Sequence, residues 1–215
     1  PAGRALTDFI SLTDLAPTLL TAAECQIPDV MTGKNLLPIL TSNKDGQVEA
    51  RHDFVIIGRE SHVPAQEMPS MAGYPSRAIR NDRWLLIFNL IPDLWPVGVP
   101  EGATHPMAVH ADTDGGPTKS FLVEHKSDPA IRKYYDLSFA KRPAFELYDC
   151  QADPDNVNNL ADDPKYAQII RTLSEQLAEF FGKTADPRFT GQPVKFDEFP
   201  YQGKYLERHI EEHNQ

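Results

Sequence analysis

Phe145-Glu-Leu-Tyr-Asp-Cys-Gln-Ala-Asp-Pro-Asp-Asn-Val-Asn-Asn-Leu-Ala161 is the stretch from which the architecture of this chain can be read. Its first four residues form a short strand, with Phe145 and Leu147 on one face. Asp153-Pro154 marks a turn. The stretch leads into a helix over 164–181 whose ends are both written: Asp163 as cap, Pro164 as first residue, Gly182 as left-handed stop. Within it Tyr166, Ile170, Leu173, Leu177 and Phe181 recur at three- and four-residue spacing, so one face must pack on a sheet. The other strands of that sheet lie upstream. Asn81-Asp82-Arg83 is a hairpin tip between strands at 77–80 and 84–89. Phe54-Val-Ile-Ile-Gly58, a continuous apolar run, predicts a strand buried on both faces. The fold class is α+β: a small antiparallel β-sheet of three or four strands, covered by a long C-terminal amphipathic helix.

Toward the N-terminus, the spacing predicts a helix over 13–24. Thr13 or Asp14 caps it, Pro17 falls in its first turn, and Leu15, Leu19 and Ala22 share a stripe. Gly33-Lys-Asn-Leu-Leu-Pro-Ile-Leu40 follows as a turn with an apolar hook. The segment 91–143 reads as a long loop insert. Its first part, to Lys119, is rich in Pro, Gly and Asp, and such loops in compact domains are more often functional than idle. Two short helices are predicted in the rest, over 119–126 and 129–141, with Asp128 capping Pro129. Residues 183–215 are polar with scattered aromatics, a tail that wraps the surface or frays.

Composition excludes several classes of partner. Thirty-one acids against 21 bases leave a net charge of −10, which argues against nucleic acid, because a phosphate backbone needs a basic face to displace its counterions. No run of 18 apolar residues exists, so no membrane span is expected. The chain opens Pro1-Ala-Gly-Arg4, neither an initiator nor a basic-then-apolar leader, and an internal start within a longer chain is expected. Cys25 and Cys150 have no metal or C-x-x-C spacing; two inert, half-buried thiols are the main reading and a single disulfide the other. His105, His110, Asp112 and Asp114 gather in the long loop. Asp112 and Asp114 have the i, i+2 spacing of calcium loops but lack the distal Glu in register, so a turn with Asp bonding its own backbone explains them as well. His209 and His213, four apart, lack the Glu that the helical zinc motif requires. No metal ligand is assigned.

The opening stretch resembles the closing signature of the sulfatases: Glu-Leu-Tyr-Asp, three residues, Asp-Pro, then Asn-Leu-Ala. Two further blocks agree in order. Phe9-Ile-Ser-Leu-Thr-Asp-Leu-Ala-Pro-Thr-Leu-Leu20 is similar to a sulfatase segment with a Ser-Leu-x-Asp core before Ala-Pro-Thr-Leu-Leu, and Gly33 to Leu40 resembles the Gly-x-Ser-Leu-Leu-Pro-x-Leu that follows it, with Asn35 in the Ser position. Tyr74-Pro-Ser-Arg-Ala-Ile-Arg80, with the strand after it, resembles the heparan N-sulfatase branch. The resemblance implies the C-terminal part of a sulfatase, with an alkaline-phosphatase/sulfatase-like subdomain. Residues 1–60 would be the tail end of the main α/β domain, 61–183 the C-terminal subdomain carrying the insert 91–143, and 184–215 an extension. The N-terminal helix and the strand at 54–58 would pack on the main sheet of the parent, and the isolated piece would leave that apolar surface exposed.

The same resemblance implies where chemistry is absent. Sulfatases attack sulfur with a formylglycine made from Cys/Ser-x-Pro-x-Arg, and no such run occurs here: Cys25-Gln-Ile-Pro-Asp has its Pro one place late, and Ser127-Asp-Pro-Ala-Ile131 lacks the Arg. The calcium site of the family needs acid pairs that cannot be placed in this chain. Calcium and formylglycine are therefore expected in the intact parent and not in this piece, and no catalytic residue is assigned. The expected partners are the remainder of the sulfatase chain and a sulfated carbohydrate. Family members are exported or lysosomal, though no address is written on this segment. For substrate binding the resemblance and the position just after strand 54–58 single out Glu60, His62 and Arg77, a bidentate Arg suiting a sulfate. Trp95 is a sugar-stacking candidate, whereas Trp84 belongs to the core. The alternative reading is a stand-alone carbohydrate-binding or interaction module without catalysis.

Overall fold

A computed structural model of the chain describes residues 2–60, 63, 65–67, 70, 72–100 and 109–195. Four strands, β1 (Phe54–Arg59), β2 (Ser76–Asn81), β3 (Trp84–Asn89) and β4 (Phe145–Asp149), form one sheet in the order β1-β2-β3-β4. The helices are α1 (Leu15–Ala22), α2 (Leu37–Thr41), α3 (Pro117–Glu124), α4 (Pro129–Phe139), α5 (Ala167–Thr184) and α6 (Pro187–Thr190). The fold is α+β and the sheet antiparallel. Cys150 N bonds Arg83 O at 2.7 Å and Asn89 N bonds Ala144 O at 2.9 Å, which fixes the β3–β4 register. At the hairpin tip Asn81 Oδ1 accepts from Arg83 N and Trp84 N, closing the turn that its residue types predict. Among the described residues, no helix is long and apolar enough to cross a membrane. The chain clusters into two units, and each strand has residues in both.

The first unit takes in the chain up to Ile57, Ala78–Leu86 and Leu147–Thr190. Its core is fully closed over Ile79, Leu86, Leu147 and Leu177, with Leu173 and Phe181 nearly so. Each such side chain contributes about 1.5–3 kcal/mol by leaving water. Phe180 of α5 lines a small cavity with Phe54, Val55 and Ile56, so α5 lies against the first part of β1. The start of this helix follows the sequence: the Asp163 side chain accepts from Lys165 N in a 3-10 turn over Pro164–Tyr166. Its end does not. Gly182 sits inside the helix, and the left-handed residue is Ala185 at φ 54 and ψ 41. The extra turn brings Asp186 to where its carbonyl caps α6, and Phe189 of α6 stacks on Phe181 at 4.7 Å. Cα–Cβ crowding makes a left-handed Ala unfavourable, so the α6 docking decides the stop.

The signature loop finishes the outer side of β4. Asn159 Oδ1 accepts from Leu147 N at 2.9 Å, and Leu160 N donates to Leu147 O at 2.8 Å. Asp149 accepts from Arg83, Gln151 N and Ala152 N, and the Arg83 guanidinium holds its carboxyl below the usual range. Asp153 accepts from Val157 N and Asn158 N. Leu147 is fully buried while Phe145, assigned to the same face, is exposed at the strand end, where it meets the Phe88 ring edge-on. Trp84 is half-buried, its ring 5.7 Å from Tyr166.

A second polar clamp shapes the N-terminal part. Ser11, not Thr13 or Asp14, caps a 3-10 turn over Leu12–Asp14, from which α1 continues. Asp14 faces inward, accepting from Ser11 N and Lys34 N, and Thr18 Oγ1 accepts from Leu36 N while donating to Asp14 O. Gly33 makes this approach possible, since a Cβ there would stand 2.1 Å from Thr13 O. The stripe Leu15, Leu19 and Ala22 accordingly faces outward. The expectation of a doubly buried strand at 54–58 is also corrected: β1 is an edge strand, with Ile57 48% exposed. An apolar run fixes strand type only when neighbours lie on both sides. Cys25 is exposed and Cys150 half-buried, both free, so the half-buried reading fails for Cys25; burial pushes the Cys150 thiol up.

Two glycine substitutions test this account. Gly33→Ala should cost about 1–3 kcal/mol in chemical denaturation, because backbone must move. Gly182→Ala, with nothing within 4 Å of its added methyl, should gain about 0.5–1 kcal/mol.

Candidate functional site

The candidate residues belong to the second unit, which takes in Gly58–Arg77, Ile87–Glu146 and the stretch from Gly191. Arg59 ends β1, and Glu60 follows it. Arg77, near the start of β2, is 5% exposed, and its guanidinium donates to Arg59 O at 3.1 Å, Ser76 O at 3.0 Å and Glu60 Oε1 at 2.5 Å. It therefore works as an internal strut that ties the end of β1 to β2. Its carboxylate partner Glu60 keeps 23% of its side chain in solvent. Arg59 pairs with Asp112 from the long loop, and its guanidinium lies 5.9 Å from the Tyr74 ring centroid. With 38% of its side chain exposed, Arg59 is the cation of this pair of arginines that a soluble anion can reach. Sequence reasoning passed over Arg59, because its place at the last position of a strand carries no motif. His62 lies outside the described residues.

The long loop is laced to this strand end. Val99 N bonds Ala65 O, His110 N bonds Val99 O, and Asp112 N bonds Val97 O. Gln66 and the Trp95 backbone exchange two hydrogen bonds, at 2.8 and 2.9 Å. Gly98, at φ +98, lies where a Cβ would be 2.8 Å from Ala111 N, so no other residue fits there without movement. The Trp95 ring is half-buried, with Lys141 Nζ 5.0 Å from its centroid, an arrangement that occupies one face of the indole. Beneath the loop, His110 is fully buried. Its Nδ1 meets Gly98 O at 3.0 Å, its Nε2 meets Tyr135 Oη at 2.9 Å, and its ring stacks on Phe139 at 4.3 Å. Burial holds the imidazole below its ordinary pKa. Lys119 Nζ caps His110 O and Thr113 O from α3. Tyr74 is buried, and desolvation together with the Glu146 carboxylate pushes its phenol up to about 12.

Asp112 and His110 of the loop are committed to partners within the described residues. Asp112 is engaged by Arg59, His110 by backbone and Tyr135, and no three His, Cys, Asp or Glu side chains come together among the described residues. A calcium ion wants six to eight oxygens, several of them anionic, and the residues present do not fit it. His105, His209 and His213 lie outside the described residues. The described cluster offers a partly exposed guanidinium, which can donate to an anion.

No protein-family model matches the chain. Two curated relatives do. The chain is 27% identical to human N-sulphoglucosamine sulphohydrolase over 86% of its own length and 34% of that protein. It is 26% identical to the ulvan-active sulfatase of Formosa agariphila, over 86% of its own length and 31% of that protein. Among solved structures, a 2-O GAG sulfatase aligns with TM-score 0.48 and 20% identity, covering 82% of this chain and 26% of that one. A protein solved with its substrate D-glucosamine-2-N,6-O-disulfate aligns with TM-score 0.46 and 20% identity, covering 81% and 25%. The chain is thus similar to sulfatases, as the blocks of sequence imply. Among them it resembles N-sulphoglucosamine sulphohydrolase, and it spans about a third of the length of the curated relatives it matches.

Two outcomes follow from this geometry. Arg77→Met should cost about 2–3 kcal/mol, discounted from the figure for a fully buried pair because Glu60 retains some solvent, whereas Arg59→Met should cost less, about 1–2 kcal/mol, because Arg59 is itself partly exposed although Asp112 is nearly buried; urea denaturation measures both. For His110, the unfolded chain binds a proton near pH 6.5 while the folded imidazole resists it. Its contribution to stability is full above that pH and is lost as pH falls through the depressed value. The drop in unfolding midpoint between pH 7.5 and 5.5 should be smaller in His110→Gln than in the unsubstituted chain.

Proposed function

We propose that this chain is a non-catalytic portion of a sulfatase whose longer polypeptide hydrolyses sulfate esters or sulfamates of carbohydrates. In this reading the piece supports the fold and forms one wall of the substrate pocket at the end of β1. The observation that carries it is how the sulfatase-like blocks are used. Asp14, Thr18 and Gly33 in the first two, and Asp149, Asp153 and Asn159 in the signature, all serve internal hydrogen bonding or close packing. None presents a nucleophile, and the Cys/Ser-x-Pro-x-Arg run is absent from all 215 residues. The calcium and the formylglycine that sulfatase chemistry uses would belong to the other part of the parent.

The pocket wall would consist of Arg59, Glu60, His62 and the Trp95 edge, with Arg77 holding Arg59 and Glu60 in place. A sulfate or sulfamate oxygen accepts from a guanidinium in a charge-assisted bond, and an indole edge packs on a sugar ring. The two curated relatives differ in the sugars their names specify, so the shared chemistry is the sulfated carbohydrate.

The purified chain, given an aryl sulfate with and without calcium, should show no turnover above buffer; measurable turnover would overturn the assignment. In the longer polypeptide, Arg59→Ala should raise KM for a sulfated sugar about tenfold with kcat within about threefold, as loss of one charge-assisted contact requires. An unchanged KM would remove Arg59 from the wall.

A further inference from the structure

The returning end of the long loop, 109–113, is pinned by one buried ring. His110 is shut off from solvent, and its backbone stands in the left-handed region at φ 48, where a residue with a Cβ stays only if its surroundings hold it. Gly98 O can only accept, so Nδ1 carries the ring hydrogen, 3.0 Å away. In the neutral imidazole Nε2 then accepts from the Tyr135 hydroxyl at 2.9 Å. Phe139 covers one face of the ring at 4.3 Å. A second proton makes Nε2 a donor, and the Tyr135 hydroxyl must turn its own hydrogen away. The charges around the ring oppose that proton as well. Lys119 of α3 sits on the carbonyls of His110 and Thr113 at 2.9 and 2.7 Å, and Lys126, after α3, is a second cation acting on the imidazole. Asp114 acts on Lys119. Arg132 of α4 lies 5.8 Å from the Tyr135 ring centroid and is itself paired with Asp136. Val97, Gly98, Val99 and Ala65 bring no titratable side chain. Asp112, two residues on, is turned to Arg59, so its carboxylate neutralises the guanidinium rather than the ring.

We propose that residues 109–113 are a latch that acid opens, withdrawing Asp112 from Arg59. The mechanical link is short. Asp112 N donates to Val97 O at 3.1 Å and Thr113 N to His110 O at 3.1 Å, so the ring cannot leave its niche without shifting the carboxylate two residues away. Once open, the imidazole takes a proton near its ordinary pKa of about 6.5, whereas the enclosed ring resists it. The open fraction therefore rises by up to about tenfold for each pH unit below that value, and it levels off only at the depressed pKa of the closed form. The Asp112 carboxylate holds the guanidinium that an external oxyanion would use, which makes it an internal competitor. The functional consequence rests on the pocket-wall reading above. Anion affinity at Arg59 scales with the open fraction, and the wall takes a sulfated sugar more tightly in acid than at neutral pH.

Amide hydrogen exchange on this chain reads the latch without any ligand. Protection of the His110 and Asp112 amides, corrected for intrinsic exchange, should fall about tenfold or more between pH 7.5 and 5.0. In His110→Gln, whose side chain does not titrate, the same fall should be under about twofold. Both amides should also stay at least about tenfold less protected than those of Ile79 and Leu86 in the inner strands β2 and β3. Constant protection overturns the latch. So does protection equal to that of Ile79 and Leu86, since the loop would then open only when the chain unfolds. Equilibrium binding of para-nitrophenyl sulfate, an anion at both pH values, reads the consequence. Its Kd should fall about tenfold from pH 7.5 to 5.0. In Asp112→Asn it should be low at both and differ by less than about twofold, which separates the latch from the general loss of negative charge in acid. That variant also keeps the test in hand where His110→Gln fails to fold. A pH dependence in Asp112→Asn as large as in the unsubstituted chain overturns the coupling to Arg59. Loss of protection in acid with no binding at either pH keeps the latch and removes the pocket-wall reading, whereas constant protection with pH-independent binding does the reverse.

Discussion

The backbone of Leu147 is held from outside the sheet by Asn159 and Leu160, and much of the first unit depends on that grip. A four-stranded sheet ends in two rows of unpaired N–H and C=O groups, and a buried row without partners costs as much as the missing hydrogen bonds. Here the signature loop folds back so that one asparagine side chain and one amide satisfy both groups of a residue whose own side chain is fully buried. The turn that makes this possible is itself tied by Asp149 and Asp153 to four backbone amides. Only then can α5 begin at its 3-10 turn with Leu173, Leu177 and Phe181 directed inward.

The sequence blocks that resemble sulfatases are for this reason structural in their local physics. Asp14 reaching Lys34 N, Thr18 reaching Leu36 N and Gly33 passing under Thr13 O form one knot between two blocks that the end of α1 and the loop after it separate. An Asp or Thr at such a position reads like a candidate ligand or base, yet each is committed to backbone. The partly exposed charged groups stand elsewhere, at the end of β1, outside the matched blocks.

That distribution explains what was legible. The hairpin, the α5 face and the Asp163 and Asp128 caps depend on contacts within a few residues, and spacing encodes these well. The end of α5 was misread because Gly182 carries a local signal that the docking of α6 overrides. The edge position of β1 was misread because hydrophobicity reports how apolar a strand is and not how many neighbours it has. At the candidate site, the residue type of Arg77 suggested ligand binding, but its burial against Arg59 O and Glu60 makes it a brace. Arg59 is reachable because its partner comes from 53 residues away in the loop, a pairing that no local pattern announces.

Among the described residues the two margins of the sheet differ. On the β4 side the signature loop leaves Leu147 no valence for a further strand, whereas β1 lies at the other end of the order with Ile57 and Gly58 in solvent. Among the described residues β1 has a strand neighbour on one side only, the β2 side. The arginine that ends β1 and the carboxylate after it set charge at the end of that margin, which disfavours unselective edge-to-edge stacking.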